Sequence, residues 1–174
     1  MKTTITFLVV LLFGVLVSCE DRGYKRGNES ESTETTASSE DSAEGNDQEA
    51  NPKGVGEVKN VELTEPLEES MIKSGKAIYE MKCSACHKLT DQRVVGPGWA
   101  GITNKRSPEW IMNMITNVDV MLAEDPEAQK LLEECLTRMP NQGVSIGDAR
   151  DILEFMRKND MEKVGSKDEG VVKS

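Results

Sequence analysis

Cys83-Ser84-Ala85-Cys86-His87 is the most informative segment of this 174-residue chain. Two thiols three positions apart, followed at once by an imidazole, suit the covalent attachment of haem. Each cysteine can add to one vinyl group of the haem, and the histidine can then reach the iron. The segment therefore predicts one covalently bound haem c, with His87 as an iron ligand.

Other uses of this cysteine pair fit the sequence less well. A structural zinc site needs four ligands, and the chain has no second histidine and only Cys135 besides in its folded part. A thioredoxin-like redox pair belongs in a βαβ unit, which the flanking sequence does not suggest. A disulfide between Cys83 and Cys86 would not explain why His87 follows them directly. Haem attachment is the interpretation that uses all three side chains.

The sequence around the motif has the periodicity of helices. Apolar residues recur at mostly helical spacing from Pro66 to Met81. The segments 107–109 and 125–127 each offer a side-chain acceptor, a proline and an acid in the order of a helix start. Ser145 begins another such start, and no stretch shows sustained β alternation. The sequence predicts an all-α domain of about four to five helices around one haem.

Composition and charge limit the classes of protein that this chain can be. Aromatic residues make up only 4% of the chain, and three of the seven lie before residue 50, so a large aromatic core is excluded. A haem would supply the missing apolar bulk. The net charge of −10 argues against a nucleic-acid partner, because neutralising phosphates requires a surplus of Lys and Arg.

The N-terminal sequence predicts export. The apolar run at 5–17 is too short to span a bilayer and is typical of a signal peptide, here residues 1–18. Its end, with Leu16 at −3 and Cys19 at +1, resembles a bacterial lipoprotein signal in which Cys19 is lipidated. An ordinary secretory signal with an incidental Cys19 is the alternative. The chain is expected on the periplasmic side of a bacterial membrane, attached through a lipid anchor.

Composition also predicts the domain limits. Residues 20–54 contain no Val, Leu, Ile, Met or Phe and are rich in acids, serine and threonine, so they cannot bury enough apolar surface to fold. We expect a lipidated, acidic, disordered linker at 19–64, a haem domain at 65–162 and a flexible tail at 163–174.

The segment from about 66 to 160 resembles the class I c-type cytochromes. Gly75 and Tyr79 precede the motif where that family has a glycine and an aromatic residue in its N-terminal helix. The resemblance implies that this glycine allows a close crossing by the C-terminal helix. Phe155 and its neighbour Ile152 would meet the N-terminal helix there.

Elimination first limits the side chains that could be the second axial ligand of the haem iron. His87 is the only histidine, which leaves Met, Lys, Cys or an open position. The resemblance implies Met139, in the loop before the last helix, with Met121 as the second choice. It also implies that the Pro97 carbonyl accepts a hydrogen bond from His87 Nδ1 and so fixes the tautomer.

Two further residues are candidates for contact with the haem, and the role of Cys135 is considered with them. Trp99 could border the haem or donate its indole N–H to a propionate, and an ordinary core position is the alternative. Arg106 could pair with a propionate or remain a solvated loop charge. Cys135 lies in a helical pattern and is interpreted as a small buried apolar residue.

The function implied by these residues is electron transfer. If protein side chains fill both axial positions, no vacant site remains for a small-molecule substrate, and the sequence shows no catalytic set of side chains. We therefore expect a carrier rather than an enzyme, with one redox protein as donor and another as acceptor. Two alternatives stay open: a haem-based sensor with a displaceable sixth ligand, and a dedicated electron-donating subunit of a terminal reductase or oxidase.

Overall fold

The computed structural model describes residues 51–172, and within them it is all-helical. The predictions that concern the signal peptide, Cys19 and the linker up to residue 50 lie outside the described residues. The six α-helices are α1 (Glu69–Ile78), α2 (Ile102–Lys105), α3 (Pro108–Thr116), α4 (Val118–Glu124), α5 (Pro126–Cys135) and α6 (Ile146–Lys163). The all-α expectation is confirmed, with more helices than the four to five expected, since the short α2 and α4 lack clear sequence signals. No helix within this part of the chain has the length and apolarity needed to cross a bilayer.

The predicted helix starts are capped by the expected side chains. Ser107 accepts a hydrogen bond from the backbone N–H of Trp110 at 3.1 Å. The Asp125 side chain accepts a hydrogen bond from the backbone N–H of Ala128 at 2.8 Å, and the Ser145 side chain accepts one from the N–H of Asp148 at the start of α6. These caps satisfy N–H groups that have no partner within the helix. Three of the six helices therefore begin where the local sequence predicts.

Helices α1 and α6 cross in close contact at Gly75. A Cβ atom on this glycine would lie 2.0 Å from the carbonyl oxygen of Asp151 in α6, far inside the van der Waals limit. Beside the crossing, the rings of Tyr79 and Phe155 lie 5.6 Å apart, and Ile152 is fully buried. The contact implied by the resemblance is present, and it fixes α6 across the helix that leads into the cysteine motif.

The packed domain begins before the predicted boundary at residue 65. The side chain of Asn113 in α3 accepts a hydrogen bond from Val58 N and donates to Val58 O, and Val58 itself is buried. Gly54 lies against the side chain of Met121. Residues 53–58 thus lie on α3 and α4, and residues 62–64 bond to α6, so residues 51–64 pack against the domain rather than forming a linker.

The segment after α6 also packs, in contrast to the predicted flexible tail at 163–174. Arg157 of α6 is fully buried and forms hydrogen bonds with Asp168 and Glu154. The backbone N–H of Gly170 donates to Thr103 O at 3.0 Å. A buried guanidinium needs carboxylate partners, so Arg157 holds this segment against the domain up to about residue 171.

Candidate haem site

One apolar cavity of about 400 Å³ lies between the cysteine motif and helices α3 and α5. It is bordered by the loop at 95–99, by the apolar faces of α3 and α5, and by the loop after α5. Its lining includes Cys86, His87, Pro97, Trp99, Ile111, Met114, Ile115, Leu122, Leu131, Leu132, Cys135, Met139 and Met156. A large, flat, apolar group with polar edges suits a cavity of this lining, and the adjacent thiols suit a covalent link to it.

A single π-helical turn, Tyr79–Cys83, carries α1 into the motif. The backbone N–H groups of Cys86 and His87 both donate to the carbonyl oxygen of Cys83, at 3.1 and 2.9 Å. This tight turn places Cys86 and His87 in the cavity lining, while Cys83 packs against the hydrophobic core beside it. Both thiols are free and half-buried, and burial raises the pKa of Cys83. The geometry leaves both sulfurs free for addition to haem.

The imidazole of His87 is held in one orientation. The Pro97 carbonyl oxygen lies 2.8 Å from His87 Nδ1, the contact that the resemblance implies, and the Tyr79 hydroxyl donates to the His87 carbonyl at 2.8 Å. A Cβ atom on Gly96 would lie 2.4 Å from the imidazole ring, so this loop needs glycine there. Burial lowers the pKa of His87, and the hydrogen bond with Pro97 opposes that effect. A neutral ring that donates from Nδ1 leaves Nε2 free to bind metal.

The two methionines predicted as candidate ligands lie in different places. Met139 is half-buried in the loop between α5 and α6, and it lines the same cavity as His87. Met121, the second choice, is fully buried away from the lining, and its sulfur accepts a hydrogen bond from Val55 N at 3.1 Å. Met114 of α3 and Met156 of α6 also line the cavity. A thioether from the loop between α5 and α6 is therefore available in the cavity that His87 lines.

The structure brings Trp99 to the site but not Arg106. Trp99 is buried in the lining, with its ring centroid 5.7 Å from that of His87. Arg106 lies outside the lining, paired with Glu127 at 3.0 Å and with its guanidinium 4.7 Å from the centre of the Trp110 ring. The structure thus engages Arg106 with an acid in the first turn of α5 and with the face of Trp110, and the pairing of Arg106 with a propionate stays a prediction.

Helix α5 contributes residues that sequence analysis missed or misplaced. Cys135 is half-buried and faces the cavity, so it is a lining residue rather than a core residue. Leu131 and Leu132 line the same wall. Both leucines lie one turn before Cys135, on the apolar side of an otherwise acidic helix. This pattern could have predicted that α5 faces the cavity.

Comparison with known proteins identifies the fold. A family model described as cytochrome c matches residues 72–160, just over half of the chain. The chain belongs to the cytochrome c family. Within this family a covalent haem c is implied by the domain, and its members are typically electron carriers rather than enzymes. The match begins in α1 and ends near the end of α6, so it contains the whole cavity.

Solved structures give the same assignment. A cytochrome c from Rhodothermus marinus is 33% identical, with a TM-score of 0.60, over 62% of this chain and 92% of that one. An engineered cytochrome c from the same organism is 32% identical, with a TM-score of 0.60, over 63% of this chain and 98% of that one. No curated protein matches the chain. The structural likeness supports an all-helical cytochrome c fold, and the family match suggests redox proteins as partners.

Proposed function

We propose that this cytochrome c domain carries single electrons between two redox proteins, with one haem bound through Cys83 and Cys86 and ligated by His87 and Met139. One observation carries the proposal: a histidine with Nδ1 engaged and a loop methionine line the same apolar cavity. Neither side chain would need to travel from a distant part of the fold to reach a common metal.

The chain's own residues determine what the site can do. Haem, when bound, supplies an iron that changes oxidation state by one electron. Pro97 holds the His87 tautomer that presents Nε2, and the thioether of Met139 favours ferrous iron and raises the potential. The apolar walls from α3 and α5 exclude water, which disfavours the more highly charged ferric state. If His87 and Met139 both bind the iron, no position on it would remain for a substrate.

Carbon monoxide separates the carrier from the haem-based sensor. A sensor would require the loop around Met139 to move, and one contact that holds this loop is the exposed hydrogen bond from Lys82 Nζ to the Gln142 carbonyl, 2.8 Å long. We expect the ferrous protein to leave carbon monoxide unbound without denaturant, and to show one reversible one-electron wave in voltammetry. Ready binding of carbon monoxide by the unmodified protein would replace the carrier by the sensor.

We also propose that the domain is tethered to a membrane through a lipid on Cys19. The acidic, apolar-poor sequence that follows Cys19 supports a linker, and packing begins near residue 51. A flexible chain of about 30 residues spans on the order of 30 Å r.m.s.. Such a linker would let the domain move between a donor and an acceptor at the periplasmic side of one membrane. An electron-donating subunit of a terminal reductase or oxidase would use the same tether.

Replacement of the proposed lipidation site should release the protein without affecting the haem. Cys19→Ala is expected to shift the protein from the membrane fraction to the soluble fraction, because a lipid anchor needs this thiol. The visible spectrum should be unchanged, since Cys19 precedes the packed domain. Cys135→Ala serves as the cysteine control and should stay with the membrane. Continued membrane attachment of Cys19→Ala would show that the lipoprotein interpretation is wrong.

A further inference from the structure

The loop that presents His87 consists of two arms joined at a turn. The first arm, residues 86–90, carries His87, and the second, residues 96–103, carries Pro97. The arms are bonded to each other: Gly96 N donates to Cys86 O at 3.0 Å, and Trp99 N donates to Lys88 O at 2.8 Å. The relative position of the imidazole and the carbonyl that orients it therefore depends on these bonds and on the contacts that attach each arm to the rest of the domain.

Helix α6 attaches the first arm through Asn159. This side chain is buried, with 2% of its surface exposed, and its Nδ2 donates to the carbonyl oxygen of Leu89 at 3.0 Å. Leu89 lies two residues after His87. The contact is the only side-chain hydrogen bond from α6 to this arm among the described residues.

The same helix attaches the second arm through the next residue, Asp160. Its carboxylate is fully buried and accepts three hydrogen bonds, from Gly101 N at 2.8 Å, Thr103 N at 2.8 Å and Thr103 Oγ1 at 2.7 Å. These donors lie four to six residues after Pro97. A buried carboxylate with three donors is a rigid attachment, because breaking any one of them leaves charge poorly compensated.

We propose that Asn159 and Asp160 are positioning residues for His87: two neighbours on α6 hold the two arms and so set the strength of the hydrogen bond between His87 Nδ1 and Pro97 O. The inference rests on the proposed function, since His87 must be an iron ligand. A firm Nδ1–H···O bond makes the imidazole a better electron donor to the metal, which favours ferric iron. Loosening either arm should weaken that bond and raise the midpoint potential.

Asn159→Leu tests the proposal without changing charge or much volume. In the haem-loaded protein we expect a higher midpoint potential and an upfield shift of the His87 Nδ1 proton in the ferrous NMR spectrum. Exchange of this proton with solvent should be about tenfold faster. The reason is that loss of the buried hydrogen bond to the Leu89 carbonyl makes local opening of the loop easier by about that factor.

Asn113→Leu is the matched control, because Asn113 is an equally buried asparagine that bonds to residues 53–58 instead of the histidine loop. It should lower the free energy of unfolding but leave the potential and the proton resonance unchanged. If Asn159→Leu is destabilised like the control and keeps the wild-type potential and resonance, Asn159 only supports the fold and the proposal is overturned.

Thr103→Val provides a milder test on the other arm, should Asn159→Leu fail to fold. It removes one of the three bonds to Asp160 and keeps the carboxylate. A smaller rise of potential in the same direction supports the proposal, and an unchanged potential contradicts it. Failure of the proposed function would be distinct, since the unmodified protein would then lack the spectrum of a histidine–methionine haem.

Discussion

Met139→Ala should abolish the weak long-wavelength charge-transfer band that a thioether ligand gives to ferric low-spin haem. Met139 lines the same cavity as His87, and its loss would open the sixth position to water or carbon monoxide. The midpoint potential should fall, because water or another harder ligand stabilises ferric iron better than sulfur does. The free energy of unfolding should also fall, as the loop from 138 to 145 would lose its attachment to the metal.

Two other methionines are matched controls for this variant. Met114 lines the cavity from α3, and Met121 is fully buried beside Val55. Met121→Ala is expected to cost about 2–5 kcal/mol of stability as a core truncation, and both variants should keep the band. If Met139→Ala keeps the band and Met114→Ala or Met121→Ala loses it, the ligand is misassigned, although electron transfer would survive.

Replacing both cysteines of the motif should have the second large effect. In Cys83→Ser with Cys86→Ser neither sulfur of the motif is available to form a thioether, so any haem present should pass into the organic phase on acid–acetone extraction. The unmodified protein should keep its haem through extraction and through denaturing electrophoresis. We also expect the double variant to unfold more readily, since a cavity of about 400 Å³ would lose its covalently fixed occupant.

Cys135→Ser is the control for this experiment. Cys135 lines the cavity but lies in α5, far along the chain from the motif. It should therefore keep the haem covalently bound. Extractable haem in the unmodified protein would contradict the assignment of Cys83 and Cys86, whatever the behaviour of the variants.

Features set by local sequence could be predicted. The starts at Ser107 and Asp125 depend on one side chain and the next three residues, and both are capped as expected. The cysteine motif is local in the same sense. The position of Pro97 beside His87 could be anticipated only through the resemblance to a family, since it joins residues ten positions apart.

Features set by distant contacts could not be predicted. Val58 is hydrogen-bonded to Asn113, 55 residues away, and the sequence near residue 58 does not predict that contact. Arg106 is paired with Glu127 and lies over the Trp110 ring, and these contacts depend on how α3 and α5 pack. Composition alone distinguishes segments that cannot fold from segments that can. It does not predict which extended segment will pack against a buried amide such as that of Asn113.

The most direct test of the account is the visible spectrum of the matured, unmodified protein in both oxidation states. We predict a low-spin ferric spectrum with the weak long-wavelength thioether band, which disappears on reduction, and a low-spin ferrous spectrum that carbon monoxide leaves unchanged. This result would place His87, the only histidine, and a methionine thioether on the iron, and loss of the band in Met139→Ala would identify that methionine. A high-spin ferric spectrum without the band, together with rapid binding of carbon monoxide by the ferrous form, would contradict the proposal of an electron carrier.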